Sequence, residues 1–275
     1  MYQGGMISMK KIEYKPMLIS IILVLLIYYF YTPALNIHAI EFWIFLIVSL
    51  CIYGAASSYS SLIEKEINPK KLGYLGTVVA VIVVGILVTD LFTSKIFHAS
   101  RYASRIEVEN VKFNNKTLHE VDFSKTPIID RKSTVKLGDK VMGEIPEYVS
   151  QFEVSDDYTQ ISYKNSVYRV TPLEYASLFK YLTNSKNGIP AYITVNSTNG
   201  KAEIVKLKDL GLDGMKYVPS AILNHNLNRK LQLSYPTSIF GSPSFEVDEK
   251  GHPWYVCTTY TYFGVGNKKK VTGAV

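Results

Sequence analysis

A chain of 275 residues with 47% hydrophobic content and a formal net charge of +7 has room for one or two domains. Its 2 cysteines, Cys51 and Cys257, lie in segments of such different character that a disulfide-stapled scaffold is excluded. The distribution is more informative than the totals: before Thr93 there are 6 Lys and 5 acidic residues, whereas the remainder carries 24 basic against 18 acidic side chains.

Residues 1–15 read as a cytoplasmic tail, and residues 16–92 as a three-helix transmembrane region. The stretch "PMLISIILVLLIYYFYTPAL", 16–35, carries no charge and approaches the roughly 20 residues that cross a hydrocarbon core of about 30 Å. A second span covers 42–59, framed by Trp43 and Tyr59 as interfacial aromatics, and a third covers 74–92, with Asp90 its one charge. A signal peptide is the competing reading of the first block, but no small-residue cleavage site follows and two further apolar blocks do.

Orientation is read from the flanking Lys and Arg residues. Lys10, Lys11 and Lys15 precede the first span, the following loop has none, and Lys65, Lys70 and Lys71 lie between the second and third. Positive charge resists export, so the amino terminus is expected in the cytoplasm and everything after the third span outside the plasma membrane. Lys95, Arg101 and Arg105 oppose this signal. Glu41 and Asp90 lie near helix ends, where headgroups or water can reach them, so they read as boundary residues rather than an ion site. The small-residue run "GAASS", 54–58, reads as packing within the bundle.

Residues 93–105 read as a juxtamembrane helix and 106–170 as an extracytoplasmic β-rich region, with a strand expected from Ile106. Asp130 and Ser133 signal a helix start followed by Gly138 and Gly143, which predicts a short helix and then irregular chain. The alternation over 151–173, broken at "SDD" and "KNS", predicts three short antiparallel strands.

Residues 171–275 read as two helix-plus-hairpin units. In "TPLEYASLFKYLTNSKNG" the helix is expected to start at Thr171, with Pro172 at its first position, Glu174 completing a capping box and Gly188 past its end. A hairpin follows, turning at Asn199-Gly200. A second helix in "VPSAILNHNLNRKL" precedes a second hairpin, 244–263, turning around Gly251. Gly200 and Gly251 are 51 residues apart, a repeat-like period. An amphipathic helix covering a curved hairpin buries too little alone, so two such units are expected to share a core. "NKKKVTGAV" reads as the start of a further strand that stops at Val275.

"ITVNSTNGKAEIVKL" and "FEVDEKGHPWYV" resemble the strand-turn-strand of PepSY-type modules. The whole arrangement, apolar blocks followed by "LGDKVMGE", "SQFEVSDDYTQI", "YRVTPLEYASL" and "PWYV", is similar to a group of Gram-positive multi-span membrane proteins labelled as related to colicin V production proteins or as cell-shape-determining. The resemblance implies a domain that binds or restrains a peptidase or another envelope protein, and it transfers no catalytic residue. In the resembling modules a further strand follows the end of this sequence, so the expectation is that a downstream portion of the repeat is lacking.

No catalytic, cofactor-binding or metal-binding residue is assigned. His38, His98, His119, His225 and His252 are not at metal-ligand spacing, and no HExxH, GxSxG, Walker or dinucleotide-binding pattern occurs. "GVGNKKK" opens like a phosphate loop without the helix that would supply the anion site. The carboxylate runs at 155–157 and 248–250 fall in expected turns. The 21 tyrosines would suit base stacking, but export argues against nucleic acid as a partner, and in alternating strands they serve as pleat fillers. The expected fold is therefore a membrane-anchored α+β protein with the bilayer and another envelope protein as partners. Its expected function is binding or regulation; a membrane-anchored hydrolase of cell-wall or peptide substrates and a transporter subunit are the alternatives.

Overall fold

A computed structural model describes residues 14–63, 69–104, 108–114, 122–266 and 269–275. They fall in two units, one within Met1–Ala99 and Tyr262–Lys269, the other within Ser100–Thr261 and Lys270–Val275.

The first unit holds three helices, α1 (Tyr14–Tyr31), α2 (Ile40–Ile63) and α3 (Pro69–Thr93), with α2 packed against both others. Two of them, over Ile40–Leu62 and Leu72–Thr93, are long and apolar enough to cross a membrane. The apolar part of α1, Lys15–Tyr31, is shorter. The first expected span ran to residue 35, but the helix stops at Tyr31: Pro33 disfavours helical backbone before it, and Thr32 takes φ 42°. Hydroxyls within these helices bond back to the preceding turn, as Ser49 to the Phe45 carbonyl and Thr89 to the Gly85 carbonyl, which satisfies them without water. Gly54 is buried against Leu75 of α3, where a Cβ would stand 3.0 Å from Leu75 Cδ2, and Ser57 beside it is buried too. The small-residue run thus serves packing between α2 and α3.

The segment from Tyr262 belongs to this unit as well. Gly266 N–H donates to the His38 carbonyl (2.9 Å), His38 Nδ1 lies 2.8 Å from the Gly264 carbonyl oxygen, and the His98 ring packs edge-on against Phe263. Gly264 takes φ +76°, and a Cβ there would press into Thr93. The α1–α2 loop and the end of α3 therefore meet one segment and lie at the same end of the helical unit.

In place of a juxtamembrane helix over 93–105 there is a single short one, α4 (Ala99–Ala103). Of the strand expected from Ile106, residues 106 and 107 lie outside the described residues, and 108–114 are exposed and in no regular element. Among the described residues the β structure starts at residue 152.

The second unit is built on a five-stranded antiparallel sheet. Its strands are β1 (Phe152–Val154), β2 (Thr159–Tyr163), β3 (Ser166–Tyr175), β4 (Ala191–Asn196) and β5 (Ala202–Lys206), in the order β1-β3-β4-β5 with β2 also on β3. The three strands expected over 151–173 are present, but the third continues to Tyr175. The helix expected to start at Thr171 is not there. Val167, Val170 and Thr171 favour the pleat, and Thr171, Leu173 and Tyr175 are all buried in it. The helix α7 (Leu178–Asn184) starts later, where Ser177 Oγ accepts the Lys180 N–H at 3.3 Å.

Every residue of β4 is buried, and its alternation divides the core. Ala191, Ile193 and Val195 join Leu173, Phe152 and Met142 on one face, under α5 (Arg131–Gly143) and the short α6 (Pro146–Val149). Tyr192 joins Val170, Tyr163, Phe245 and Val247 on the other, under the hairpin of β7 (Ser244–Val247) and β8 (Pro253–Val256). α5 starts as expected, with Asp130 Oδ1 accepting the Ser133 N–H at 2.7 Å, but it runs on through Gly138. Gly138 is needed there because a Cβ would fall on the Tyr158 hydroxyl.

The β4–β5 turn at Asn199-Gly200 and the β7–β8 turn at Gly251 are formed, with both glycines at positive φ (75° and 87°). The second apolar run of the 244–263 hairpin is split, however, at buried Cys257. Its later half, β9 (Thr258–Tyr262), lies in a separate sheet of order β10-β9-β6, with β6 being Ile239–Phe240 and β10 Lys269–Ala274. The strand expected in "NKKKVTGAV" is β10, which opens at Lys269 and lies at a sheet edge. The second helix is α8 (Leu227–Ser234), shorter than its expected segment and capped by Asn226.

Candidate functional site

Strands β1 and β2 pair one after the other along the same edge of β3: Val154 lies opposite Leu173, and Thr159 opposite Val170. Between them the ladder is interrupted at Pro172, which has no N–H to give. The chain from Ser155 to Tyr158 loops out at this point, pinned by Ser155 N–H to the Pro172 carbonyl (3.1 Å) and by the Thr171 hydroxyl to the Ser155 carbonyl (2.8 Å). The "SDD" run is therefore a loop, as expected.

The interruption opens a cleft of about 210 Å³ within the second unit. Its charged groups are Arg131, Asp157 and Glu174; Tyr158 and Tyr255 supply phenols, and 242–245 closes one side. Arg131 leans across to donate to the Asp156 carbonyl (2.7 Å). The hydroxyls of Thr159 and Ser244 meet at 3.2 Å, and Ser155 Oγ accepts the Asp157 N–H at 3.3 Å. These serine and threonine hydroxyls are thus engaged in holding the rim.

The two phenols are not. The Tyr255 hydroxyl is buried and has no hydrogen-bond partner among the described residues, although its ring is packed against Phe245. Burial pushes its pKa well up, and the charges of Glu174 and Asp157 push the same way. The Tyr158 hydroxyl is likewise buried without a partner, against Gly138, and burial raises its pKa ahead of the charges of Asp139 and Asp156. The cleft thus holds a buried phenol together with the carboxylates of Asp157 and Glu174 in its lining. Its volume is below the roughly 300–1,000 Å³ of a typical small-ligand pocket, a size for one or two side chains.

The histidines stand apart from this cleft. His225 packs against Tyr181 and Tyr217, His252 Nδ1 lies 3.3 Å from Asp248 in the β7–β8 turn, His38 and His98 belong to the helical unit, and His119 is outside the described residues. Among the described residues no group of three or more His, Cys, Asp or Glu side chains could hold a metal ion. Asp248 closes its turn by accepting the N–H groups of Lys250 (2.9 Å) and His252 (2.8 Å). Burial would raise its pKa, but these bonds outweigh it and hold the carboxyl below its ordinary value.

Sequence reasoning assigned no site residues, and the cleft is assembled from positions between 131 and 255 that no local motif joins. The available signal was Pro172 inside an alternating run. No family model, curated protein or solved structure matches the chain.

Proposed function

We propose that this chain is a multi-pass protein of the plasma membrane in a Gram-positive envelope, with a cytoplasmic amino terminus and an extracytoplasmic α+β region that binds or restrains another envelope protein. The observation that carries the binding role is the Tyr255 hydroxyl, buried in a small cleft without a partner among the described residues while the hydroxyls of Ser155, Thr159 and Ser244 are already engaged. A buried donor left unmade is costly, and a polar side chain or backbone carbonyl from a partner would satisfy it.

Three crossings fit the helical unit. α2 and α3 have the length, and α1, about 26 Å by its rise per residue, spans with modest local thinning of the bilayer. The α1–α2 loop and the exit of α3 lie at one end because α2 and α3 run in opposite directions between them. The PepSY-like reading rests on α7 preceding the β4–β5 hairpin and α8 preceding β7–β8. A hydrolase is the second reading, favoured by Asp157 and Glu174 lining the same cleft as that phenol.

A photoreactive amino acid placed at Ser242 or Glu174 in the full chain, in intact cells, tests the binding role. One discrete protein adduct from both positions, absent when the probe is at exposed Asn199, is expected. If no adduct forms, and the purified chain instead cleaves wall or peptide substrates with loss of that activity in Glu174→Gln, the hydrolase reading replaces it.

A further inference from the structure

Helix α7 leaves its apolar side uncovered. Leu178, Phe179 and Leu182 are 53%, 76% and 58% exposed, at the i, i+1 and i+4 positions of one short helix. Only Tyr181 turns inward, donating its hydroxyl to the Ile222 carbonyl at 2.9 Å and packing on Tyr175 and His225. Those bonds tie α7 to the segment 214–245, which adds exposed Tyr217 and Leu223. Leu223 holds φ +51°, a left-handed backbone unusual for a bulky side chain.

The charge on these two joined segments is of one sign. Residues 176–187 and 214–245 contain no Asp or Glu, while Lys180, Lys186, Lys216 and Lys230 are all at least partly exposed, Lys230 standing 5.7 Å over the Tyr217 ring. The carboxylates bounding them in sequence are Glu174 and Glu203 for the first segment and Asp213 and Glu246 for the second. On the elements beside α7, Glu147 pairs with Lys206 at 3.8 Å, and Glu153 lies opposite Glu174 on β1–β3.

We infer that this face docks on an anionic phospholipid surface. Exposed Phe and Leu side chains on joined segments whose charged side chains are all basic complement a headgroup layer in both respects: the apolar tips enter the acyl boundary and the lysines meet phosphate. A soluble anionic polymer would satisfy the lysines but leave Phe179 in water. A bilayer is also the partner that the chain's own apolar helices supply. This goes beyond the partner-binding cleft and is independent of it.

The test uses the full chain, with Trp43 and Trp254 replaced by Phe and a single Trp introduced as Phe179→Trp, reconstituted in vesicles containing brominated phosphatidylcholine. Most of the Trp fluorescence should be quenched when phosphatidylglycerol is present and much less when it is absent, and a control Trp at Asn199 should stay bright. Leu182→Trp repeats the measurement should the first variant fold poorly. The inference is overturned by an unquenched Trp at both 179 and 182 in either lipid, by equal quenching at 199, or by quenching indifferent to phosphatidylglycerol. The crosslinking of the cleft can fail or succeed independently of this result.

Discussion

The Tyr192 hydroxyl, on the central strand of the five-stranded sheet, donates at 2.7 Å to the carbonyl of Gly251, in the turn of the β7–β8 hairpin 59 residues away. This bond fixes the hairpin over the sheet face on which Phe245 and Val247 are buried. Tyr192→Phe removes the donor and strands a carbonyl in the core, so we expect a loss of about 1–2 kcal/mol. Gly251→Ala keeps the carbonyl but forces an L-residue to φ +87°, with an expected loss of about 1–2 kcal/mol. Urea unfolding of the purified chain in detergent, followed by Trp254 fluorescence with Trp43 replaced by Phe, measures both. Wild-type midpoints in both variants would show that the turn is not anchored there.

Gly138 gives the opposite of the usual helix rule. Alanine is normally the better helix residue, but a Cβ at 138 would fall on the Tyr158 hydroxyl. Gly138→Ala should therefore destabilise the protein by about 1–3 kcal/mol through overpacking. Tyr158→Phe, which removes the obstructing oxygen and an unpartnered polar group together, should restore most of that loss. An additive double mutant would contradict the contact.

Tyr255→Phe should separate stability from binding. The hydroxyl has no partner in the isolated chain, so its removal is expected to leave the unfolding midpoint unchanged or raised. The photo-adduct from Ser242 should nevertheless weaken if a partner uses that hydroxyl. A clear loss of stability would mean that the phenol is already satisfied within the fold.

High pH should unfold the protein for a defined reason. Burial raises the pKa of Tyr158, Tyr192 and Tyr255, and brings Tyr175 up to about 12, from an ordinary value of 10.0. Above pH 10 the unfolded chain releases protons that the folded chain keeps, so the unfolded state binds fewer and stability falls as pH rises. The contribution is fully present below pH 10 and is lost as pH rises through the folded values. Phenolate absorbance should show one reversible class near the ordinary value and a second that ionises only with unfolding. A single reversible wave with the fold intact would refute the burial assignment.

Much of the local structure was legible because single residues determine it. Asp130 caps α5, and Asn199-Gly200 and Gly251 turn their hairpins through glycines at positive φ. Thr171-Pro172-Leu173-Glu174 met every local criterion for a helix start and is nonetheless strand, because burial of Thr171, Leu173 and Tyr175 beside β4 outweighs a capping box. The division of the 244–263 hairpin at Cys257 depends on pairing with distant β6 and β10 and has no local signal. The cleft was illegible for the same reason: Arg131, Asp157, Glu174 and Tyr255 converge only once the β1 and β2 ladders have parted around Pro172.

Sidedness is the claim on which the envelope reading most directly rests. With Cys51 and Cys257 replaced by serine, single cysteines at Ser60, near the end of α2, and at Asn199, exposed in the β4–β5 turn, are challenged on intact cells with a membrane-impermeant thiol reagent. The account predicts labelling at 199 and none at 60 until the cells are opened. Labelling at 60 alone, or equally at both, would contradict it.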